Sequence, residues 1–132
     1  MSDRVVYLDS SAFVKLVQAE AETQALVGYL RRWSVAVSAT LVRTEALRAA
    51  ARNSPELVRD TRRALRDVAF IELSRDLMDH AGALTLPDLR SLDAIHLAAA
   101  LSLGDDLDEV VTYDDRMVAA ASACGLPVSS PA

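Results

Sequence analysis

The chain has 132 residues, 52% of them hydrophobic, and a net charge of −5, which suits one domain over residues 1–132 and excludes two comfortable ones. Its single cysteine, Cys124, cannot form an internal disulfide and therefore favours a reducing compartment. No apolar run has the length of a secretory signal or a membrane-spanning helix, so we expect a cytoplasmic protein with no membrane partner.

Short β-branched runs alternate with helical patterns along the chain. Strands are predicted over residues 5–8, 34–38, 68–73 and 110–112, with an edge strand at 126–128. Helices are predicted over residues 12–17, 21–32, 40–53, 55–67, 75–84, 92–104 and 115–124, and the last four residues are expected to be loose. Serines at the predicted helix starts, Ser10 or Ser11, Ser54, Ser74 and Ser91, are expected N-caps. This alternation predicts an α/β fold with a parallel sheet covered on both faces.

Three acids lie where a predicted strand ends or a helix begins. Asp9 follows the strand at 5–8, Asp114 follows the strand at 110–112, and Asp93 opens an apolar helix. Such junctions collect along one edge of a parallel sheet, where ligand crevices form. Clustered carboxylates repel each other unless a metal ion or a proton neutralises them. The pattern therefore predicts a divalent cation site, to which Glu45, inside a helix, is a fourth candidate ligand.

Each acid also has a structural explanation. Asp93 lies where a helix dipole favours negative charge, and Asp114 can be an ordinary N-cap. Glu45 can be a solvated acid paired with Arg48 or Arg52.

Asp9 is harder to explain structurally, because Ser10 or Ser11 could cap the helix that follows it. Carboxylate oxygens suit Mg²⁺ or Mn²⁺. Zinc is not expected, since the two histidines and one cysteine lack ligand spacing. The glycines form no phosphate-binding loop motif.

The segments around these four acids resemble those of PIN-domain ribonucleases, most closely the VapC-type toxins of bacterial and archaeal toxin–antitoxin pairs. The matching segments are Tyr7–Ala12, Thr44–Leu47, Leu92–Ala100 and Val111–Asp114, in the order of the family. The segment around Asp93 is the most distinctive.

The resemblance implies a PIN-like three-layer sandwich, with a central parallel sheet of four to five strands between helices. It also implies metal-dependent endonucleolytic cleavage of RNA, a homodimer, and a small VapB-type antitoxin whose C-terminal segment lies across the active groove. Carried over, the Mg²⁺ or Mn²⁺ ligands and catalytic residues are Asp9, Glu45, Asp93 and Asp114. Ser11 and Thr112 are expected supports, and Asp115 is an alternative to Asp114, although the Thr-x-Asp spacing favours Asp114.

Several basic residues are candidates for binding RNA or the antitoxin. The candidates near the acids in sequence are Lys15, Arg43, Arg48, Arg52 and Arg90. A further stripe, Arg59, Arg62, Arg63 and Arg66, is interpreted first as a solvated helix face and second as such a contact. His96, one turn after Asp93, is interpreted as a hydrogen-bonded packing residue.

Two other classes of protein compete with the nuclease interpretation. A non-catalytic PIN-like module that binds RNA or protein would keep the acids for structure, but the complete set of four favours an enzyme. A dehalogenase-type phosphohydrolase needs an Asp-x-Asp motif, which Asp9-Ser10-Ser11 lacks. The acidic net charge argues against nucleic acid, but setting the four clustered acids aside leaves a nearly balanced chain.

Overall fold

The computed structural model describes residues 4–132, which form a five-stranded parallel sheet surrounded by seven helices. The strands are β1 (Val5–Leu8), β2 (Val35–Ala39), β3 (Ala69–Ile71), β4 (Glu109–Val111) and β5 (Val128–Ser129). The helices are α1 (Ser10–Val17), α2 (Thr23–Leu30), α3 (Leu41–Ala51), α4 (Pro55–Ala64), α5 (Arg75–Ala83), α6 (Ser91–Leu101) and α7 (Asp115–Ala123). Short 3₁₀ turns cover Leu65–Asp67 and Gly104–Asp106. The predicted parallel α/β class is confirmed.

The order of the strands places β1 at the centre of the sheet. The order is β3-β2-β1-β4-β5, so the chain runs outward from β1 through β2 and β3 and then returns to add β4 on the other side. This reversal creates a crevice at the carboxyl end of β1, between its connections and those of β4. Asp9, the residue that follows β1, lies at this point.

Both faces of the sheet are buried, as the expected three-layer arrangement requires. Neighbouring residues of a strand point to opposite faces, so Tyr7 joins one core with α5 and α6, while Val6 and Leu8 join another with α1 and α2. In α6 the buried run Ala98, Ala99 and Ala100 consists of small residues. Small side chains let this helix pack close to the sheet, and the first turn of α6 carries Asp93.

The starts of the helices agree with the sequence only in part. Ser54 and Ser74 cap α4 and α5, as predicted. The prediction for Ser91 was wrong, because it is the first residue of α6 and the preceding Arg90 makes no side-chain capping bond. The prediction for α1 was also wrong, since the cap is the Asp9 carboxylate, which accepts from the backbone N–H of Ala12.

The C-terminal residues are more ordered in their contacts than the sequence indicates. Ser129 lies in β5, beside β4. The Ser130 hydroxyl donates to the Thr112 carbonyl, and the Tyr113 hydroxyl donates to the Pro131 carbonyl at 2.6 Å. These bonds hold the C-terminal residues against the segment between β4 and α7. The prediction of a loose tail was therefore wrong. Within residues 4–132, no helix has the length and hydrophobicity needed to cross a membrane.

Candidate active site

Asp9 is a buried carboxylate held by donors from two distant parts of the chain. Its exposed fraction is 3%. Oδ1 accepts from the Ser11 hydroxyl at 2.6 Å and from the Ala12 N–H at 3.1 Å, while Oδ2 accepts from the Thr112 hydroxyl at 2.5 Å. Burial raises the pKa of Asp9, and the hydrogen bonds from Ser11 and Thr112 oppose that rise. Ser11 and Thr112 therefore occupy the supporting positions expected of them.

The pKa of Asp93 depends on the charges of two other acids, Asp114 and Asp9. It sits in the first turn of α6. Partial burial raises the pKa of the Asp93 carboxyl, the negative charges of Asp114 and Asp9 raise it further, and the nearby Arg116 guanidinium opposes the rise. Three of the four predicted acids thus share one electrostatic environment.

Asp114 both caps a helix and joins the hydrogen-bond network of Asp9. Its Oδ1 accepts from the backbone N–H of Arg116 at 2.9 Å and thereby caps the start of α7. The same oxygen lies 3.7 Å from Arg116 Nε. The backbone N–H of Asp114 donates to the Thr112 hydroxyl at 3.1 Å, the same hydroxyl that donates to Asp9. Asp115 is the exposed first residue of α7. The link through Thr112 supports Asp114 over Asp115 as the fourth acid.

Glu45 does not pair with Arg48 or Arg52, contrary to the structural explanation given above. Its Oε1 lies 2.8 Å from His96 Nε2, and its Oε2 accepts from the Ser10 hydroxyl at 3.1 Å. His96 is 2% exposed, so its interpretation as a hydrogen-bonded buried residue is confirmed.

The contact of His96 with Glu45 was not predicted from the sequence. The opposite ring nitrogen, His96 Nδ1, lies 2.7 Å from the Tyr7 hydroxyl. A sequence signal existed, because His96 follows Asp93 by three residues and therefore shares its helix face. Nothing in the sequence pattern identified Tyr7 or Ser10 as members of the site.

An open cleft of about 720 Å³ adjoins the acids. Glu45 lines it directly, and sequence neighbours of the other acids also line it, namely Ser10, Ser11, Leu92 and Tyr113. Arg48, Arg52 and Lys15 contribute positive charge to its walls. The cleft is therefore the place where a substrate could reach the carboxylates.

The basic candidates divide into those that line this cleft and those that do not. Arg48 lines it together with Glu45 and Arg52, which lie about one helical turn before and after it. Lys15 also lines it, but its ammonium is bound by Glu20 at 2.6 Å and Glu22 at 2.9 Å. Arg43 instead stacks over the Phe70 ring, with its guanidinium carbon 5.4 Å from the ring centroid.

Arg90 and Arg116 line a separate depression, together with Asp88 and Leu89. Two members of the arginine stripe on α4 form exposed pairs within their own helix, Arg59 with Glu56 and Arg63 with Asp60. Exposed pairs of this kind contribute little to stability, so the solvated-face interpretation of the stripe is favoured.

The donor set fits a hard divalent cation. Carboxylate oxygens, with hydroxyls holding them in place, are the ligands that Mg²⁺ and Mn²⁺ prefer. Over residues 4–132, no three Asp, Glu, His or Cys side chains surround one point in ready ligand geometry. Glu45 is held by His96 and Ser10, and Asp114 by its own helix. A bound ion must therefore compete with these contacts.

The fold and the site together define the class of protein. It is a three-layer parallel α/β protein with a group of carboxylates at the point where the strand order of its sheet reverses. The chain belongs to the PIN-domain family, whose model matches residues 6–123. It is similar to Ribonuclease VapC46 of Mycobacterium tuberculosis, with 44% identity over 126 residues that cover 96% of this chain and 97% of the relative. Ribonuclease VapC35 of the same species is 37% identical, again over 96% and 97% of the two chains.

Two solved structures share the fold. The VapC20 toxin of Mycobacterium tuberculosis, described as cleaving the sarcin–ricin loop, has a TM-score of 0.71 at 18% identity, over 92% of this chain and 95% of its own. A toxin–antitoxin complex from Klebsiella pneumoniae has the same TM-score at 23% identity, over 96% and 98% of the two chains. At these identities the likeness concerns the fold.

We predict that Thr112→Val destabilises the protein by about 1.5–3 kcal/mol, because Asp9 Oδ2 loses a buried donor and the backbone N–H of Asp114 loses its acceptor. Valine keeps the branched shape of threonine, so packing changes little. Urea unfolding measures the difference, and Thr112→Ser, which keeps the hydroxyl, is the matched control. A Thr112→Val protein as stable as the Ser variant would show that this hydroxyl does not hold Asp9.

Proposed function

We propose that this protein is a divalent-metal-dependent endoribonuclease that acts as the toxin of a toxin–antitoxin pair. The observation that carries the proposal is the grouping of three acids at the carboxyl edge of a PIN fold. Asp9 and Asp114 share the Thr112 hydroxyl, and the charges of both raise the pKa of Asp93. Relatives of 44% and 37% identity over nearly the whole chain are named ribonucleases. Since RNA is cytoplasmic, we also propose that location.

In the proposed reaction, Asp9, Asp93 and Asp114 would hold Mg²⁺ or Mn²⁺. Glu45, which lines the cleft, would be the fourth ligand. When bound, the ion supplies an activated water and positive charge beside the scissile phosphodiester. Ser11 and Thr112 orient Asp9 by donating to both of its oxygens, and these bonds oppose the rise in the pKa of Asp9 that burial causes. No side-chain nucleophile is required.

We predict that Asp93→Asn abolishes RNA cleavage and leaves the fold intact, because the amide keeps the shape of the side chain but removes its charge. Cleavage of a labelled RNA with Mg²⁺, and with EDTA in its place, measures the effect. Asp76→Asn, a first-turn acid of α5 that is exposed, is the control. A folded Asp93→Asn protein that cuts RNA at the wild-type rate would contradict the proposal.

The same assay decides between an enzyme and the alternative, a non-catalytic PIN-like binding module. A binding module would retain RNA and leave it intact with or without EDTA. The four acids, three of which interact, favour the enzyme, since a module without chemistry gains nothing from the mutual repulsion of Asp93 and Asp114.

The cleft provides the second half of the proposed function, which is binding of an RNA strand. Arg48 is exposed and lines the cleft near Glu45, so its guanidinium can pair with a phosphate. Lys15 is less suited to this role, because two glutamates already neutralise it.

We predict that Arg48→Glu weakens RNA binding and reduces the slope of log affinity against log salt by about 1, as expected for the loss of one phosphate contact. Binding is best measured in the Asp93→Asn protein, where the RNA is not consumed. Arg59→Glu, on the exposed face of α4, is the matched charge reversal. Equal losses for both variants would indicate a general charge effect and no phosphate contact at the cleft.

We also propose a VapB-type antitoxin as the partner, which occupies the same cleft. Fold neighbours include VapBC complexes from Rickettsia felis and Haemophilus influenzae in addition to the Klebsiella complex. A basic side chain of the partner suits Glu45 in this cleft, and an acidic one suits Arg48 and Arg52.

We predict that the product of a short reading frame beside this gene binds the protein and suppresses its RNA cleavage in a titration with a sharp end point. A partner that binds without suppressing cleavage would contradict occupation of the cleft. The homodimer remains a prediction of the family resemblance, and light scattering of the free protein tests it.

A further inference from the structure

A continuous row of buried polar groups leads from the centre of the sheet to Glu45. Tyr7 of β1 is 1% exposed and His96 of α6 is 2% exposed. The Tyr7 hydroxyl lies 2.7 Å from His96 Nδ1, and His96 Nε2 lies 2.8 Å from Glu45 Oε1. The two aromatic rings meet edge to face, with centroids 5.9 Å apart. Three different elements, β1, α6 and α3, are therefore joined through one imidazole.

The chemistry of the three groups fixes the direction of the hydrogen bonds. An ionised carboxylate only accepts, so the ring nitrogen that faces Glu45 has to carry a hydrogen. In the neutral imidazole the other nitrogen is then an acceptor, and the Tyr7 hydroxyl is its donor. Tyr7 consequently selects the tautomer with the proton on Nε2, which is the one that can hold Glu45.

Glu45 needs such a fixed partner more than Asp9 and Asp114 do. Asp9 is buried and bound by three donors, and Asp114 is bound by the start of α7. Glu45 is half-buried at the wall of an open cleft, and its long side chain loses rotamer freedom whenever it is held in one position. His96 and Ser10 bind its two oxygens and remove that freedom before any ligand arrives.

We propose that His96 is a positioning residue that orients Glu45 for the metal ion, and that Tyr7 sets the tautomer in which His96 does so. This inference rests on the proposed function. It differs from a packing role for His96, because packing depends on the volume of the ring, whereas positioning depends on a donor at the Nε2 position.

Two amide substitutions separate these roles. The amide group of His96→Gln reaches the position of Nε2 and can donate to Glu45. The amide group of His96→Asn reaches only the position of Nδ1, so it can meet Tyr7 but not Glu45. The pair differs by one methylene, and each removes the aromatic ring, so a packing role affects both variants.

The experiment measures Mn²⁺ binding by calorimetry and urea unfolding for both variants, with His80→Gln, an exposed histidine of α5, as control. A group that orients a metal ligand changes affinity by about 10- to 100-fold when it is removed. We expect a loss of this size in His96→Asn, a clearly smaller loss in His96→Gln, and none in His80→Gln. Unfolding is expected to be affected similarly in the two His96 variants.

Nitrogen-15 shifts of the imidazole provide a test without metal. We expect the wild-type ring of His96 to carry its proton on Nε2, and Tyr7→Phe to shift the ring away from this single form and to weaken Mn²⁺ binding. Wild-type protein that binds Mn²⁺, with equal affinity in His96→Asn and His96→Gln, would overturn the positioning role and leave the proposed function standing. Wild-type protein that neither binds Mn²⁺ nor cuts RNA would overturn both.

Discussion

The carboxylate of Asp9, buried between β1 and β4, is the constraint on which the rest of the site depends. A charge in this position is costly unless donors satisfy it. Two donors come from the first turn of α1, Ser11 and the Ala12 N–H, and the third is Thr112, directly after β4. Because the third donor requires β4 to lie beside β1, the pairing that completes the centre of the sheet also completes the surroundings of Asp9. Fold and site therefore share one set of bonds.

Structural and functional explanations of the acids do not exclude each other here. Asp9 caps α1 and Asp114 caps α7, while Asp93 lies in the first turn of α6. The positive end of a helix dipole offsets part of the repulsion among neighbouring carboxylates. Three helix starts directed at one crevice thus make a concentration of negative charge tolerable in the folded protein. Asp9 and Asp114 therefore cap helices and also belong to the acidic cluster.

The architecture could be predicted from the sequence because strand and helix periods alternate regularly and the acids follow the strands. The pairing of side chains could not, since it depends on elements far apart in the chain. Glu45 has Arg48 in its own helix and Arg52 directly after that helix, yet it binds His96, 51 residues away, and Ser10. Lys15 forms ion pairs with Glu20 and Glu22, and Arg43 stacks over the Phe70 ring. Proximity in sequence favoured all the basic candidates equally and could not rank them. The C-terminal residues have polar, loop-like composition, and only the position of β5 reveals their bonds to the end of β4.

The separation of 103 residues between Asp9 and Thr112 has a consequence for the order of events during translation. A growing polypeptide carries Asp9 from the outset, but it lacks the partner strand until almost all of the chain has left the ribosome. Closing so large a loop is entropically costly, so it waits for the intervening layers to pack. An incomplete chain consequently lacks both the Thr112 hydroxyl and the Asp114 carboxylate, so its acidic centre cannot assemble before synthesis is nearly complete.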